Sequence, residues 1–171
     1  TGMFGFLKKN DKAEKTAAVE TGEVIGAPIK GTAVPSSEIS DPTFREEMLG
    51  KGMAIRPAEG KVYAPADGRI EVMIESMHAV SMVSDGGAEI LIHIGLDTVA
   101  LKGKHFTGHV KEGDRVKKGD LLLEFDQKAI EAAGYDMISP VIICNSDDYR
   151  EITRYTGQEV QPGDPVMRLE K

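Results

Sequence analysis

From residue 23 onward, the chain is a series of short apolar runs, many rich in β-branched residues, broken by Gly, Pro, Asp and Ser. Residues 24–29, 53–56, 62–64, 69–74, 78–83, 89–94, 121–125, 141–144 and 166–169 each fit a strand. Helical signals are confined to two places. Asp41 and Pro42 can cap and open a helix running to about Leu49, with Gly50 as its stop. Asp126 can cap a second, from Gln127 to about Ala133, stopped by Gly134. The Ser146-Asp-Asp-Tyr-Arg-Glu stretch suits one further turn. No strand alternates with a long helix. The pattern predicts an all-β domain over 23–171: an antiparallel β-sandwich or flattened barrel with short helical turns.

Three turns punctuate this pattern in an informative way. Val110-Lys-Glu-Gly-Asp-Arg-Val116 and Val160-Gln-Pro-Gly-Asp-Pro-Val166 echo one another, each placing Gly-Asp between valines. Asp85-Gly86 separates two of the expected strands. Asp-Gly is favoured as a two-residue hairpin loop because both central positions need positive φ. That loop pairs Ser84 with Gly87, Val83 with Ala88, and His78 with His93. Opposed residues have Cβ atoms about 4.5–5.5 Å apart, so the hairpin predicts two imidazoles side by side. A Gly86-Gly87 turn would make the pair diagonal and still within reach.

Residues 1–22 read as a separate tail of mixed charge. Phe4, Phe6 and Leu7 beside Lys8 and Lys9 would suit weak attachment to a membrane surface, and a disordered leader fits the same residues. Met3 reads as a native start, which favours a free-standing protein. No run approaches the roughly 18 apolar residues that span a bilayer, and no signal peptide is evident.

Composition narrows the classes. The 171 residues include 19 Gly, 8 Pro and no Trp, which suits short strands and tight turns better than a helical bundle. The formal net charge is −7 and no basic stripe with aromatics appears, so nucleic acid is not an expected partner; a basic protein partner is. A single cysteine, Cys144, excludes an internal disulfide framework and fits a cytoplasmic location. Lying in an apolar run, it is expected in the core.

Paired neutral imidazoles can do three things. One can attack as a nucleophile while the other donates a hydrogen bond to the transferred group. The pair can bind a metal. Both can also be satisfied structural histidines. Ser76 two residues before His78, and Asp97 four after His93, favour chemistry. Phosphoryl transfer suits the group, because an imidazole with an ordinary pKa of roughly 6.5 is a neutral nucleophile near pH 7. His105 and His109 lie apart and are expected in a solvated loop or at a strand end.

The run Gly87-Ala-Glu-Ile-Leu-Ile-His93-Ile-Gly-Leu-Asp97-Thr-Val99 resembles the phosphorylation-site signature of the glucose-family enzyme IIA components of the bacterial phosphoenolpyruvate-dependent sugar phosphotransferase system. That signature is a Gly, two free positions, three apolar residues, then His-apolar-Gly-apolar-x-Thr-apolar, and every position is met. The similarity extends to Gly52-Met-Ala-Ile-Arg-Pro57, Ala64-Pro-Ala-Asp-Gly68, Leu101-Lys-Gly103 and Glu112-Gly-Asp-Arg-Val116. It covers essentially 23–171. It implies that His93 accepts a phosphoryl group from the histidine phosphocarrier protein HPr and passes it to a cysteine of the IIB domain of a glucose-type permease. His78, helped by Ser76, would stabilise the phosphorylated form, with Asp97 and Asp41 flanking the site. Phe44, Met48, Leu49, Ile74, Val80, Leu91 and Val99 would form the apolar face that receives partners. Regulated transporters or enzymes are further implied partners of the unphosphorylated form. No resident cofactor is implied; zinc would be held by His78 and His93 only with a ligand from a partner.

Two other resemblances are weaker. His93-Ile-Gly-Leu-Asp97 is similar to the ligand pair of a zinc peptidase family, but the later His-x-His of that family is absent. Ala64-Pro-Ala-Asp-Gly68 and the 110–120 turns resemble biotinyl and lipoyl carrier domains, but no lysine stands at a hairpin tip with their flanks.

Overall fold

A computed structural model describes residues 22–171. The expected tail lies outside the described residues except for Gly22, and so does its membrane-surface reading. Strands β1 (Glu23–Gly26), β2 (Gly31–Pro35), β3 (Lys51–Pro57), β4 (Lys61–Tyr63), β5 (Gly68–Met73), β6 (Ala79–Ser84) and β7 (Glu89–His93) make the first half. The second half holds β8 (Phe106–Gly108), β9 (Arg115–Val116), β10 (Leu121–Phe125), β11 (Ser139–Ile143), β12 (Glu151–Arg154), β13 (Gln158–Val160) and β14 (Pro165–Glu170). Two short helices, α1 (Pro42–Arg45) and α2 (Gln127–Ala132), interrupt them. Every strand pairing is antiparallel.

The strands form an eight-stranded sheet in the order β13-β2-β3-β11-β7-β6-β5-β9, and two three-stranded sheets, β1-β14-β12 and β4-β10-β8. The all-β antiparallel expectation holds. The flattened-barrel alternative does not, because β13 and β9 remain as open edges among the described residues. One apolar core joins the inner faces of the sheets through Ile25, Met53, Ile70, Ile90, Ile92, Leu123, Val141 and Val166. A second, smaller core lies on the outer face of the large sheet, where Val34, Ile39, Phe44, Ala54, Leu96, Ile138 and Ile142 pack together beside Leu91. Both faces of β3 and β11 are therefore buried. This explains their continuous apolar sequence in an antiparallel sheet, where one face is often solvated.

The segment that covers the outer face is 36–49. Asp41 caps α1 by accepting from Thr43 N at 2.9 Å. The helix ends at Arg45, earlier than the expected Leu49. Glu47 takes φ +56°, while Glu47 N donates to Phe44 O and Met48 N to Thr43 O. Those two bonds are the Schellman closure, with a glutamate where glycine usually stands. The left-handed conformation costs a non-glycine residue roughly 1–2 kcal/mol. It is offset by the Glu47 carboxylate, which accepts from Gly52 N at 3.0 Å and from Arg154 Nη1 at 2.6 Å.

The β6–β7 hairpin departs from the expected register. Its loop has three residues, Asp85-Gly86-Gly87. Gly87 sits at φ +98°, its amide donates to Ser84 O, and Ser84 N donates to Ala88 O. This is the three-residue loop with a glycine in the left-handed region. The Ser84 hydroxyl also accepts from Ala88 N at 2.9 Å. The added loop residue shifts the ladder so that Ala79, not His78, opposes His93, and Val80 opposes Ile92.

The echo between 110–116 and 160–166 is one turn reused. Asp114 accepts through its carboxylate from Lys111 N, and Asp164 from Gln161 N. Asp120 closes a third copy on Lys117 N.

Candidate functional site

His93 is the last residue of β7, on the outer face of the large sheet with Leu91. Its Nδ1 lies 2.7 Å from Gly95 O. A carbonyl can only accept, so Nδ1 carries the hydrogen. In the neutral ring Nε2 then holds the free lone pair. The Gly95 carbonyl can reach back because Gly95 and Asp97 take φ +75° and +61°, turning the chain sharply after the strand. The buried Thr98 hydroxyl donates to Ile94 O and closes that turn.

His78 reaches the same place without being the opposed residue. It precedes the first ladder residue of β6 and follows a turn in which Met77 N donates to Ile74 O and Met77 takes φ +58°. Its own carbonyl accepts from Ile94 N at 2.7 Å. The two rings meet nearly edge to face, with 5.0 Å between centroids at 80°. Ser76 Oγ and His78 Nδ1 are hydrogen-bonded at 2.6 Å. The predicted juxtaposition of His78, His93 and Ser76 is present, although the register that suggested it is not.

Electrostatics favour neutral rings. Burial pushes both histidines below the ordinary imidazole value. For His93 the Gly95 carbonyl, Asp41 and Asp97 act in the opposite direction, and His78 adds to the lowering. Phe44 covers one side of His93, with ring centroids 4.9 Å apart at 51°. The site therefore offers one shielded nucleophilic nitrogen, one neighbouring imidazole and two carboxylates nearby.

The expected apolar rim divides in three. Met48, Leu49, Ile74 and Val99 are exposed, with Met48 at 70 % and Val99 at 56 %. Phe44 is buried and Leu91 half-buried in the second core. Val80 is a correction: it is 1 % exposed in the main core, because the shifted register turns it inward opposite Ile92. Val72 is an exposed apolar residue that the sequence did not reveal. A bulge between Ile70 and Val72 breaks the alternation, so Val72 pairs with Ser81 and joins the outer face. No residue type announced that bulge.

Other expectations resolve away from this site. His109 pairs with Glu124 at 2.8 Å, and His105 takes φ +77°. Cys144 follows β11 and reaches the surface, a correction to its expected place in the core. Partial burial and the Glu89 carboxylate push its thiol up, away from reactivity. Among the described residues, no three His, Cys, Asp or Glu side chains are grouped to hold a metal ion, and no helix is long and apolar enough to cross a membrane.

Residues 23–149 match the family model described as phosphoenolpyruvate-dependent sugar phosphotransferase system, EIIA 1. The chain is 46% identical over 138 residues to a PTS system glucose-specific EIIA component of Oceanobacillus iheyensis, covering 81% of this chain and 84% of that protein. It is 44% identical over 158 residues to a PTS system beta-glucoside-specific EIIBCA component of Dickeya chrysanthemi, covering 92% of this chain and 25% of that relative. The chain thus spans about a quarter of the EIIBCA relatives it matches. The solved glucose permease IIA from Mycoplasma capricolum superposes with a TM-score of 0.79 at 34% identity, covering 86% of this chain and 95% of that one.

Proposed function

The chain belongs to the EIIA family of the phosphoenolpyruvate-dependent sugar phosphotransferase system, and from that premise we propose that it is a phosphohistidine carrier with His93 as its acceptor. The observation that carries this reading is the His93 Nδ1 hydrogen bond to Gly95 O, which leaves Nε2 as the nucleophile. The lone pair of Nε2 attacks phosphorus in line. The bond from phosphorus to the donor nitrogen breaks, and the donor imidazole keeps that electron pair. The His93 ring gains positive character and holds its Nδ1 hydrogen, so its bond to Gly95 O strengthens as the product forms. In the onward step the acceptor's sulfur attacks and the pair returns to Nε2.

His78 stabilises the transferred group. A His78 ring with its hydrogen on Nε2 can donate there to phosphoryl oxygens, and the Ser76 hydroxyl, 2.6 Å from Nδ1, supports that tautomer by donating to Nδ1. Asp97 and Asp41 flank the pair and favour the charged ring that forms. The exposed Met48, Leu49, Ile74 and Val99, with Leu91 and Phe44 behind them, form the face that receives HPr and then the IIB domain of a glucose-type permease. The EIIBCA relatives, which carry B and A parts in one chain by name, support the IIB partner. Regulated transporters or enzymes would meet the same face in its unphosphorylated form. The carrier works in the cytoplasm and needs no resident cofactor. Zinc would bind His78 and His93 only if a partner supplied a further ligand.

The test is to mix the protein with phosphoenolpyruvate, enzyme I and HPr and follow intact mass. One acid-labile phosphoryl group is expected on the wild type and on His78→Ala, and none on His93→Ala. Equal phosphorylation of His93→Ala would overturn the assignment. Failure of the wild type to accept any group would overturn the carrier reading itself.

A further inference from the structure

Ser139 is a polar residue with no exposed surface, at the start of an all-buried strand. A buried hydroxyl is costly unless it is bonded, and here both of its roles are taken. Its single hydrogen goes to Met137 O at 2.8 Å, so toward Gly95 N–H, at 3.2 Å, Oγ can only accept. The next amide is held by the same segment: Leu96 N donates to Asp136 O at 2.9 Å. The segment is itself braced, because the Asp136 carboxylate accepts from Ile138 N at 2.9 Å. The peptide unit that carries the Gly95 carbonyl is thus held by the Leu96 amide on Asp136 O, and the unit just before it by the Gly95 amide on Ser139, so that Gly95 is gripped on both sides by 136–139. Only glycine fits between these elements at φ +75°, since a Cβ there would lie 2.9 Å from Thr98 Cγ2 and 3.1 Å from Asp136 O.

We propose that Ser139 is a positioning residue for phosphoryl transfer: its hydroxyl aims the Gly95 carbonyl at His93 Nδ1 and so keeps the reactive lone pair on Nε2. This rests on the carrier reading with His93 as acceptor. Ser139 touches no reacting atom. It acts through Gly95: without it the Gly95 amide loses its buried acceptor, the peptide before Gly95 is freed, and the carbonyl is held only from its far side by Leu96 N on Asp136 O. The imidazole would then populate both tautomers, and molecules with hydrogen on Nε2 would present no lone pair there.

The experiment reads the His93 tautomer directly, from nitrogen chemical shifts of the two imidazoles in the unphosphorylated protein, for wild type, Ser139→Ala, Ser139→Cys and Ser139→Thr. The wild type is expected to hold the Nδ1–H form almost exclusively. Ser139→Ala should show a measurable Nε2–H population at His93 with His78 unchanged, and accept phosphoryl groups about tenfold more slowly. Ser139→Thr keeps the hydroxyl and should restore both readouts. If Ser139→Ala does not fold, Ser139→Cys decides by the same criterion, because sulfur keeps much of the volume but accepts weakly. A folded Ala or Cys variant with the wild-type His93 tautomer would overturn the proposal. The tautomer is read without any phosphoryl donor, so a wild type that fails to accept phosphate sinks the carrier reading and leaves the tautomer result to judge Ser139 separately.

Discussion

The ring of Phe44 rests against His93, centroid to centroid 4.9 Å, yet Phe44 belongs to α1 and not to any strand of the sheet that holds the histidine. The contact joins the second apolar core to the His93 imidazole. Packing beneath 36–49 and shielding of His93 from water are therefore one property.

Replacing Phe44 by Ala should cost about 3 kcal/mol or more in unfolding free energy, because a buried aromatic is lost from a small core. It should also shorten the lifetime of phospho-His93, since water gains access to one side of the ring. Phe44→Leu should recover part of the stability and part of the lifetime. Urea unfolding and the decay of the phosphorylated mass would check this; normal decay in a destabilised Ala variant would separate packing from shielding.

Both histidines titrate below the ordinary imidazole value, through burial above all. Phosphoryl acceptance should hold its rate as pH falls through about 6.5 and decline only below that. Stability should follow the same cause. The unfolded chain binds protons at these two sites from about pH 6.5 downward while the folded chain resists, so stability is lost as pH falls from there and stops falling below the folded values. Above about pH 6.5 the histidines contribute no slope. Imidazole titration by NMR and urea midpoints on either side of that window would test it, and His93→Gln should flatten part of the slope.

Met48→Asp and Val99→Asp should leave the unfolding free energy within about 0.5 kcal/mol, because both side chains are exposed. Each should weaken HPr and the IIB domain together, by about tenfold or more. The two partners should also compete. Calorimetric titration measures the first effect, and a ternary complex formed at this face would contradict the second.

Glu47 and Arg154 should be energetically coupled. A double-mutant cycle with Glu47→Gln and Arg154→Gln is expected to give about 1 kcal/mol, a modest value because both side chains are roughly a third exposed. Glu47→Gly should relieve the left-handed strain but forfeit the bonds to Gly52 N and Arg154, so its net change should be smaller than that of Glu47→Ala. Equal losses in the Gly and Ala variants would show that the strain carries no weight.

The local parts of the site were legible. The Gly87 to Val99 run marks His93, and Asp41 and Asp126 are caps because their carboxylates accept from Thr43 N and Ala129 N. Features set by tertiary contact were not. The hairpin loop took three residues because Gly87 adopts positive φ and the Ser84 hydroxyl bonds Ala88 N, an outcome the Asp85-Gly86 dipeptide alone does not select. The helix stops at Arg45 because Glu47 is drawn to Arg154, and no neighbour in sequence reports that. β12 and β13 are short and partly polar, so pairing with β14 and β2 defines them better than their own residues do. Ser139 is bonded to the turn beside His93 across 44 residues of sequence, a contact that no local pattern reports.

The link from Glu47 to Arg154 joins positions 107 residues apart. During synthesis at about 5–20 residues per second, on the order of 5–20 s pass between the two. Strand β2 likewise waits for β13, and β1 for β14. A nascent chain can already contain His78, His93 and Phe44 while the segment that carries Phe44 still lacks its clamp. Completion of this face is thereby tied to synthesis of the strands from β12 to β14, and a chain that stops short of them has little means of engaging a phosphoryl donor prematurely.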